Sequence, residues 1–137
     1  MKLGSFLERA NAALRTTRGA AVALCHLRPH AGELHYVAVG NISGRVVSGR
    51  DERGMVSQSG TLGLRVATPR AKVITHPWEP GAVLVLWTDG LASRLDLGAH
   101  PSLLAHDPAV VAATLHREYT RQRDDATVVV VRHRDPA

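Results

Sequence analysis

Two acidic sites stand where chemistry could be done. Asp89, in "WTDGL", follows directly on the apolar run Ala82 to Thr88, and Asp124, in "RDDAT", stands just ahead of the apolar run Thr127 to Val131. If those runs are neighbouring antiparallel strands, the end of one lies beside the beginning of the other, and both carboxylates share one rim of a sheet. Carboxylates converging on a rigid rim, without a nearby cysteine or paired histidine, favour a hard cation such as magnesium or manganese. The same residues admit a plainer reading, because Asp and Gly are common turn formers and Asp89-Gly90 and Asp124-Asp125 could be turns and nothing more.

Other reactive side chains are less suggestive. His26, His30 and His35 straddle a strand and a turn, and His100, His106 and His116 are scattered, so neither set has the second ligand and orienting partner that metal histidines carry. Gly60 to Gly63, "GTLG", resembles a phosphate-clamping turn but lacks the strand and helix context of a P-loop or dinucleotide fingerprint. Ser57 and Ser59 have no His-Asp pattern to activate them. Arg18 could approach a phosphate or be a surface arginine. Trp78 and Trp87 read as packing residues. Cys25 has no second cysteine to pair with and lies in an apolar run, where it can pack as a small hydrophobe.

The elements that must hold the acidic pair can be read from periodicity. Leu3, Phe6, Leu7, Ala10, Ala13 and Leu14 recur at helical spacing and predict an amphipathic first helix. Ala20 to Leu27 and Glu33 to Gly40, separated by Pro29 and Gly32, predict two hairpin-connected strands, with a third at Gly44 to Ser48. Gly49 to Arg70 carries four glycines and a proline and predicts an irregular, exposed functional loop with only short extended pieces. Strands are then expected at Lys72 to His76, Ala82 to Thr88 and Thr127 to Val131, the last two buried on both faces because nearly every position is apolar. Between them Asp107 can cap a second helix that opens on Pro108 and ends near Arg117, Arg121 and Arg123. Such strands need a second sheet on one face and helices on the other, so the expected class is α+β, two packed antiparallel β-sheets flanked by helices.

Composition narrows the function. At 137 residues with 45 % hydrophobic and 21 % charged residues, the chain is expected to form one domain, residues 1–137. No stretch is apolar for the roughly 20 residues of a membrane helix, and the N-terminal segment is broken by Glu8 and Arg9 too early for a secretory signal, so no membrane and a cytoplasmic location are expected. The formal charge of +5 could be a nucleic-acid footprint, but the arginines are scattered along the sequence and aromatics are only 4 %, too few to stack bases.

The two acidic motifs in their settings, "PGAVLVLWTDGLASR" and "RDDATVVVVR", resemble the second half of the metal-dependent serine/threonine protein phosphatases (PPM type). The likeness is to the bacterial SpoIIE-like branch and its RsbX-like relatives. "LRTTRGAAVAL", "LHYVAVGNISGRVV" and "SQSGTLGL" fit the same branch, so the resemblance runs from about Leu14 to Arg132. It implies an α-β-β-α sandwich and hydrolysis of phosphoserine or phosphothreonine at a centre of two Mn2+ or Mg2+ ions, ~3.5–4 Å apart in such enzymes. Asp89 and Asp124 match metal ligands of the family, with Gly90 and Asp125 beside them and Gly60 and Gly63 on a substrate-side loop. The implied partner is a phosphorylated STAS-type regulatory protein of bacterial partner switching or stress signalling.

The resemblance has one departure. Family members carry, upstream of these segments, an Asp-Gly motif whose Asp bridges both metals, whereas the only Asp before Asp89 here is Asp51, in the loop. The expectation is therefore a chain matching the C-terminal two thirds of the family domain. It could be part of a longer phosphatase, a catalytically degenerate module that binds a regulator without hydrolysis, or one whose missing ligand comes from a partner chain. An unpaired apolar strand edge would accompany the departure, and with it homo-oligomerisation.

Overall fold

The computed structural model describes residues 2–135. The first helix, α1, spans Leu3–Ala13 and buries Leu3, Leu7 and Asn11, which lie four residues apart on one face. Phe6, expected on that face, is instead 44 % exposed, and the Arg9 guanidinium sits 6.0 Å from its ring centre. The 3.6-residue period explains the difference: a face centred on Leu3 and Leu7 continues through Ala10, Asn11 and Leu14 and leaves Phe6 at its margin.

The remaining elements are β1 (Val22–Arg28), β2 (Glu33–Val39), β3 (Ile42–Ser48), β4 (Asp51–Met55), β5 (Ile74–Pro77), β6 (Val83–Thr88), α2 (Pro108–Tyr119) and β7 (Val128–Arg132). They form a three-stranded antiparallel sheet ordered β1-β2-β5 and a four-stranded one ordered β4-β3-β6-β7, so the chain is α+β with two antiparallel sheets and helices. Two compact units divide these elements. One holds the residues up to Ile42 together with Met55–Glu79, and the other holds Ser43–Gly54 together with the residues from Pro80 onward.

In the first unit β1 and β2 pair along their whole length, from Val22↔Val39 to Arg28↔Glu33. A short 3-10 turn at Pro29–Ala31 reverses the chain, closed by Gly32 in the left-handed region at φ +64. One face of the sheet presents Val37 and Val39, with Val22 and Leu24 partly buried beside them, to Leu3 and Leu7 of α1 and to Leu62 from the following loop. On the other strand face Tyr36 is fully buried; its hydroxyl lies 3.3 Å from Ser57 Oγ, which donates to the Ile42 carbonyl at 2.6 Å. Burial pushes the Tyr36 phenol above its ordinary pKa, and it pushes the Cys25 thiol up to about 11.

In the second unit the core is Val83, Val85 and Trp87 of β6 against Val111 and Leu115 of α2, extended by Leu91, Leu95, Leu97 and Leu103 from the connection between them. α2 begins where its sequence predicts: Asp107 Oδ1 accepts the Ala109 N–H at 2.9 Å and Pro108 occupies the first helical position. β6 is buried on both faces apart from Leu86 and Thr88, which are half-buried, whereas β7 is not, and Val129 is 45 % exposed. The reason is sheet order. β7 is the edge strand of its sheet, and a run of valines has the same pattern at an edge as at the centre. β4 also lies at an edge, within the stretch expected to be irregular, and exposes Asp51 to Gly54.

Candidate metal centre

The rim that carries the acidic pair is built by the β6–β7 ladder. The two strands run antiparallel from Val83↔Arg132 to Trp87↔Val128. Beyond that pair the register continues in hydrogen bonds: the Thr88 N–H donates to the Thr127 carbonyl at 3.1 Å, and the Thr127 N–H donates to Thr88 Oγ1 at 3.0 Å. β6 then ends in a turn, with the Leu91 N–H donating to the Thr88 carbonyl at 3.1 Å, so Asp89 and Gly90 are its two central residues.

Gly90 explains why this turn cannot carry a side chain at its second position. A Cβ there would overlap the Asp125 carbonyl oxygen and lie 2.8 Å from the Asp125 carbonyl carbon and 2.9 Å from Ala126 Cα. The turn backbone therefore lies directly on the Asp125–Ala126 backbone. On the far side the Arg121 N–H donates to the Gly90 carbonyl at 2.9 Å, and Leu91 bridges to Thr120. Asp89 and Asp124 are thus held on one rim by hydrogen bonds that involve neither carboxylate as the joining group.

Asp89, Asp124 and Asp125 are exposed, and one Asp124 oxygen, Oδ1, accepts the Asp125 N–H at 2.8 Å. That bond orients Asp124 and leaves its second oxygen available. Two residues earlier Gln122 takes a left-handed backbone at φ +59, an uncommon state for a residue with a Cβ, where the chain leaves α2 for the Asp124 segment. The turn reading and the metal reading are compatible here, since the turn is what sets Asp89 at the rim.

The donor set can be tested against a metal by its chemistry. Two exposed carboxylates with no thiolate or imidazole among them are hard oxygen donors, which suit magnesium or manganese; magnesium in particular is commonly held by one or two carboxylates with water and substrate phosphate completing its shell. The fit is to one hydrated ion. Among the described residues there is no group of three or more His, Cys, Asp or Glu side chains that could hold a metal. Asp51 is engaged elsewhere, accepting from Arg53 Nε at 2.8 Å.

Gly60 and Gly63 belong to the other unit. Gly63, at φ +91, packs on the end of α1, where a Cβ would lie 2.7 Å from the Leu14 carbonyl oxygen, and its N–H donates to Asn11 Oδ1 at 2.8 Å. Asn11 Nδ2 in turn donates to the Arg65 and Val66 carbonyls at 3.2 and 3.4 Å. Sequence reasoning missed Asn11, although a polar residue four positions after Leu7 on an apolar helix face was the signal available. Trp78 and Trp87 are buried, and the Arg45 guanidinium lies 5.7 Å from the Trp87 ring centre.

Comparison with known proteins gives a consistent set of relatives. The family model described as Stage II sporulation protein E (SpoIIE) matches residues 1–134. A structure from work on the bacterial stressosome, as a modular system adapted to control secondary messenger signalling, is similar with a TM-score of 0.85 and 24 % identity, covering 96 % of this chain and 68 % of that one. RsbX in complex with magnesium is similar with a TM-score of 0.75 and 23 % identity, covering 95 % and 64 %. The catalytic domain of the serine/threonine protein phosphatase PstP, in complex with two manganese ions, has a TM-score of 0.74 and 15 % identity, covering 94 % and 67 %. At these identities the likeness is one of fold, and the chain spans about two thirds of the length of these structures. No curated protein sequence matches it.

Proposed function

The chain belongs to the SpoIIE family, in the RsbX-like branch of the PPM-type phosphatase superfamily, and on that premise we propose that it acts on a phosphoserine- or phosphothreonine-bearing regulatory protein in bacterial signalling. The observation that carries the reading is the Asp89-Gly90 turn seated on the Asp124-Asp125 backbone, which sets two carboxylates on one rim. Residues 1–137 serve in this reading as a single phosphatase domain corresponding to the C-terminal two thirds of the family domain.

Asp89 and the second oxygen of Asp124 would hold Mg2+ or Mn2+. When bound, such an ion polarises phosphoryl oxygens and makes its water acidic enough to attack phosphorus. The protein's own part is positional. Asp125 donates its N–H to fix the Asp124 carboxylate, and Gly90 lets the turn that carries Asp89 lie against the Asp125–Ala126 backbone.

The magnesium complex of RsbX and the two-manganese complex of PstP support the choice of metals, and the stressosome relative supports a place in bacterial signalling, in which the partner proposed here is a phosphorylated STAS-type protein. The edge strand β7, with Val129 exposed, supports homo-oligomerisation through strand pairing. A second reading, a module that binds a regulator without hydrolysis, is favoured by the absence, among the described residues, of any group of three or more His, Cys, Asp or Glu side chains that could hold a metal.

The deciding experiment compares the chain with Asp89→Asn and Asp124→Asn for manganese affinity by calorimetry and for hydrolysis of an aryl phosphate and a phosphoserine protein. Expected is manganese binding weakened in both variants, and metal-dependent turnover abolished in both. Manganese binding without turnover in the folded wild-type chain selects the binding module; unchanged metal affinity in both variants overturns the rim as the metal site.

A further inference from the structure

The first unit carries a second feature that the rim does not use. Residues Ser59 to Arg70 enclose an open pocket of about 500 Å3, whose lining includes Ser59, Thr61, Leu64, Arg65, Thr68 and Arg70. No hydrogen bond or ion pair engages either guanidinium or any of the three hydroxyls among the described residues. Arg65 and Arg70 are exposed.

The pocket is built on a fixed loop. The buried side chain of Asn11 holds Gly63, Arg65 and Val66 by three hydrogen bonds, and the neighbouring Leu62 exchanges two backbone bonds with Ala20 at 2.9 and 3.0 Å. The loop conformation is thus set before any ligand arrives, which lowers the ordering cost of binding.

Charge decides what kind of ligand fits. The first unit contains eight Lys and Arg against three Glu, and the second contains nine of each sign, so the whole formal charge of +5 resides in the unit that holds the pocket. From Arg53 to Trp78 the chain has no acidic residue at all. Two free arginines beside three free hydroxyls form a site rich in donors with no carboxylate among them, and the planar guanidinium matches the oxygens of a phosphate or carboxylate in a bidentate manner.

The flanks favour a peptide over a nucleic acid. Leu64 and Val66 are 63 % and 76 % exposed beside the arginines, and the loop offers no exposed aromatic ring on which a base could stack. We infer that the Ser59–Arg70 pocket docks an acidic, phosphate-bearing segment of a partner protein, with Arg65 and Arg70 taking the anionic groups and Leu64 taking an aliphatic side chain. The partner's class rests on the function proposed above; the docking itself requires neither metal nor hydrolysis.

The test uses the whole chain in EDTA and a short fluorescein-labelled peptide with one phosphoserine among glutamates and leucines, read by anisotropy. Arg65→Gln with Arg70→Gln is expected to weaken binding at least about tenfold, the scale of losing charge-assisted hydrogen bonds. Thr68→Glu, which places a carboxylate in the pocket, is expected to weaken it similarly, while Arg117→Gln, in the second unit, leaves it unchanged. Melting curves confirm that each variant is folded. Equal binding by the folded double variant, equal binding of the unphosphorylated peptide, or tighter binding of a uridine oligonucleotide would each overturn the inference. Because hydrolysis is absent from this assay, failure of the phosphatase reading leaves its result intact.

Discussion

Asn11 shows how much one buried polar side chain can organise. It is 2 % exposed, and its amide accepts from Gly63 and donates to the Arg65 and Val66 carbonyls, so a helix residue fixes a loop more than fifty positions away. Removing it leaves the buried Gly63 N–H without an acceptor and opens a small void, and unsatisfied buried donors cost about 1–3 kcal/mol each. Asn11→Ala is therefore expected to lower unfolding free energy by roughly 2–4 kcal/mol in urea melts. It should also speed trypsin cleavage after Arg65 in the native state; a cleavage rate equal to wild type would show that the loop is held by other contacts. The place of Asn11 four positions after Leu7 on the apolar face signals burial in the sequence, but what it holds is not legible there, because its partners are all distant in the chain. Asp89 and Asp124 were legible for the opposite reason: each abuts an apolar strand, so their neighbourhood follows from strand pairing alone.

At the scale of elements, both helices and all strands except β4 could be read from periodicity, capping and turn residues. β4, Asp51–Met55, has polar residues on both faces because it is an exposed edge, and a polar strand carries no alternation to detect. β7 was detected but its burial was misjudged, since four valines in a row say nothing about which neighbours the strand has. The turn after β6 is the element on which the rim depends. Gly90→Ala retains a backbone conformation open to alanine, because Gly90 lies outside the left-handed region, yet its methyl group overlaps the Asp125 carbonyl. The turn and the Asp124-Asp125 segment must then separate. The expected outcome is a loss of stability of about 1–3 kcal/mol, the usual scale for overpacking, together with weaker manganese binding. Chemical denaturation and calorimetry measure the two effects separately. Loss of stability with unchanged metal affinity would mean that the rim geometry does not depend on this contact.

For the molecule as a whole, the property hidden in the sequence is the partition of charge. Along the chain the arginines look scattered, and scatter together with few aromatics was the ground for setting aside nucleic-acid binding; in the folded chain the excess falls entirely within one unit, while the other is neutral. Sequence order cannot show this because each unit is assembled from two separate stretches of chain. A field of one sign attracts an acidic partner over a distance set by screening, about 10 Å at 0.1 M salt and about a third of that at 1 M. Raising sodium chloride is therefore expected to weaken acidic phosphopeptide binding progressively, mainly through a slower association rate. The Arg65→Gln, Arg70→Gln double variant should show a shallower dependence, because it removes two charges from the basic unit. Arg117→Gln removes one from the neutral unit, where Arg117 is already paired with Glu118 at 2.9 Å, and should leave the slope as in the wild type. Stopped-flow association rates at several salt concentrations measure this directly. A slope equally reduced by Arg117→Gln would assign the attraction to net charge alone, whereas a reduction confined to the loop arginines places it in the unit that holds the pocket.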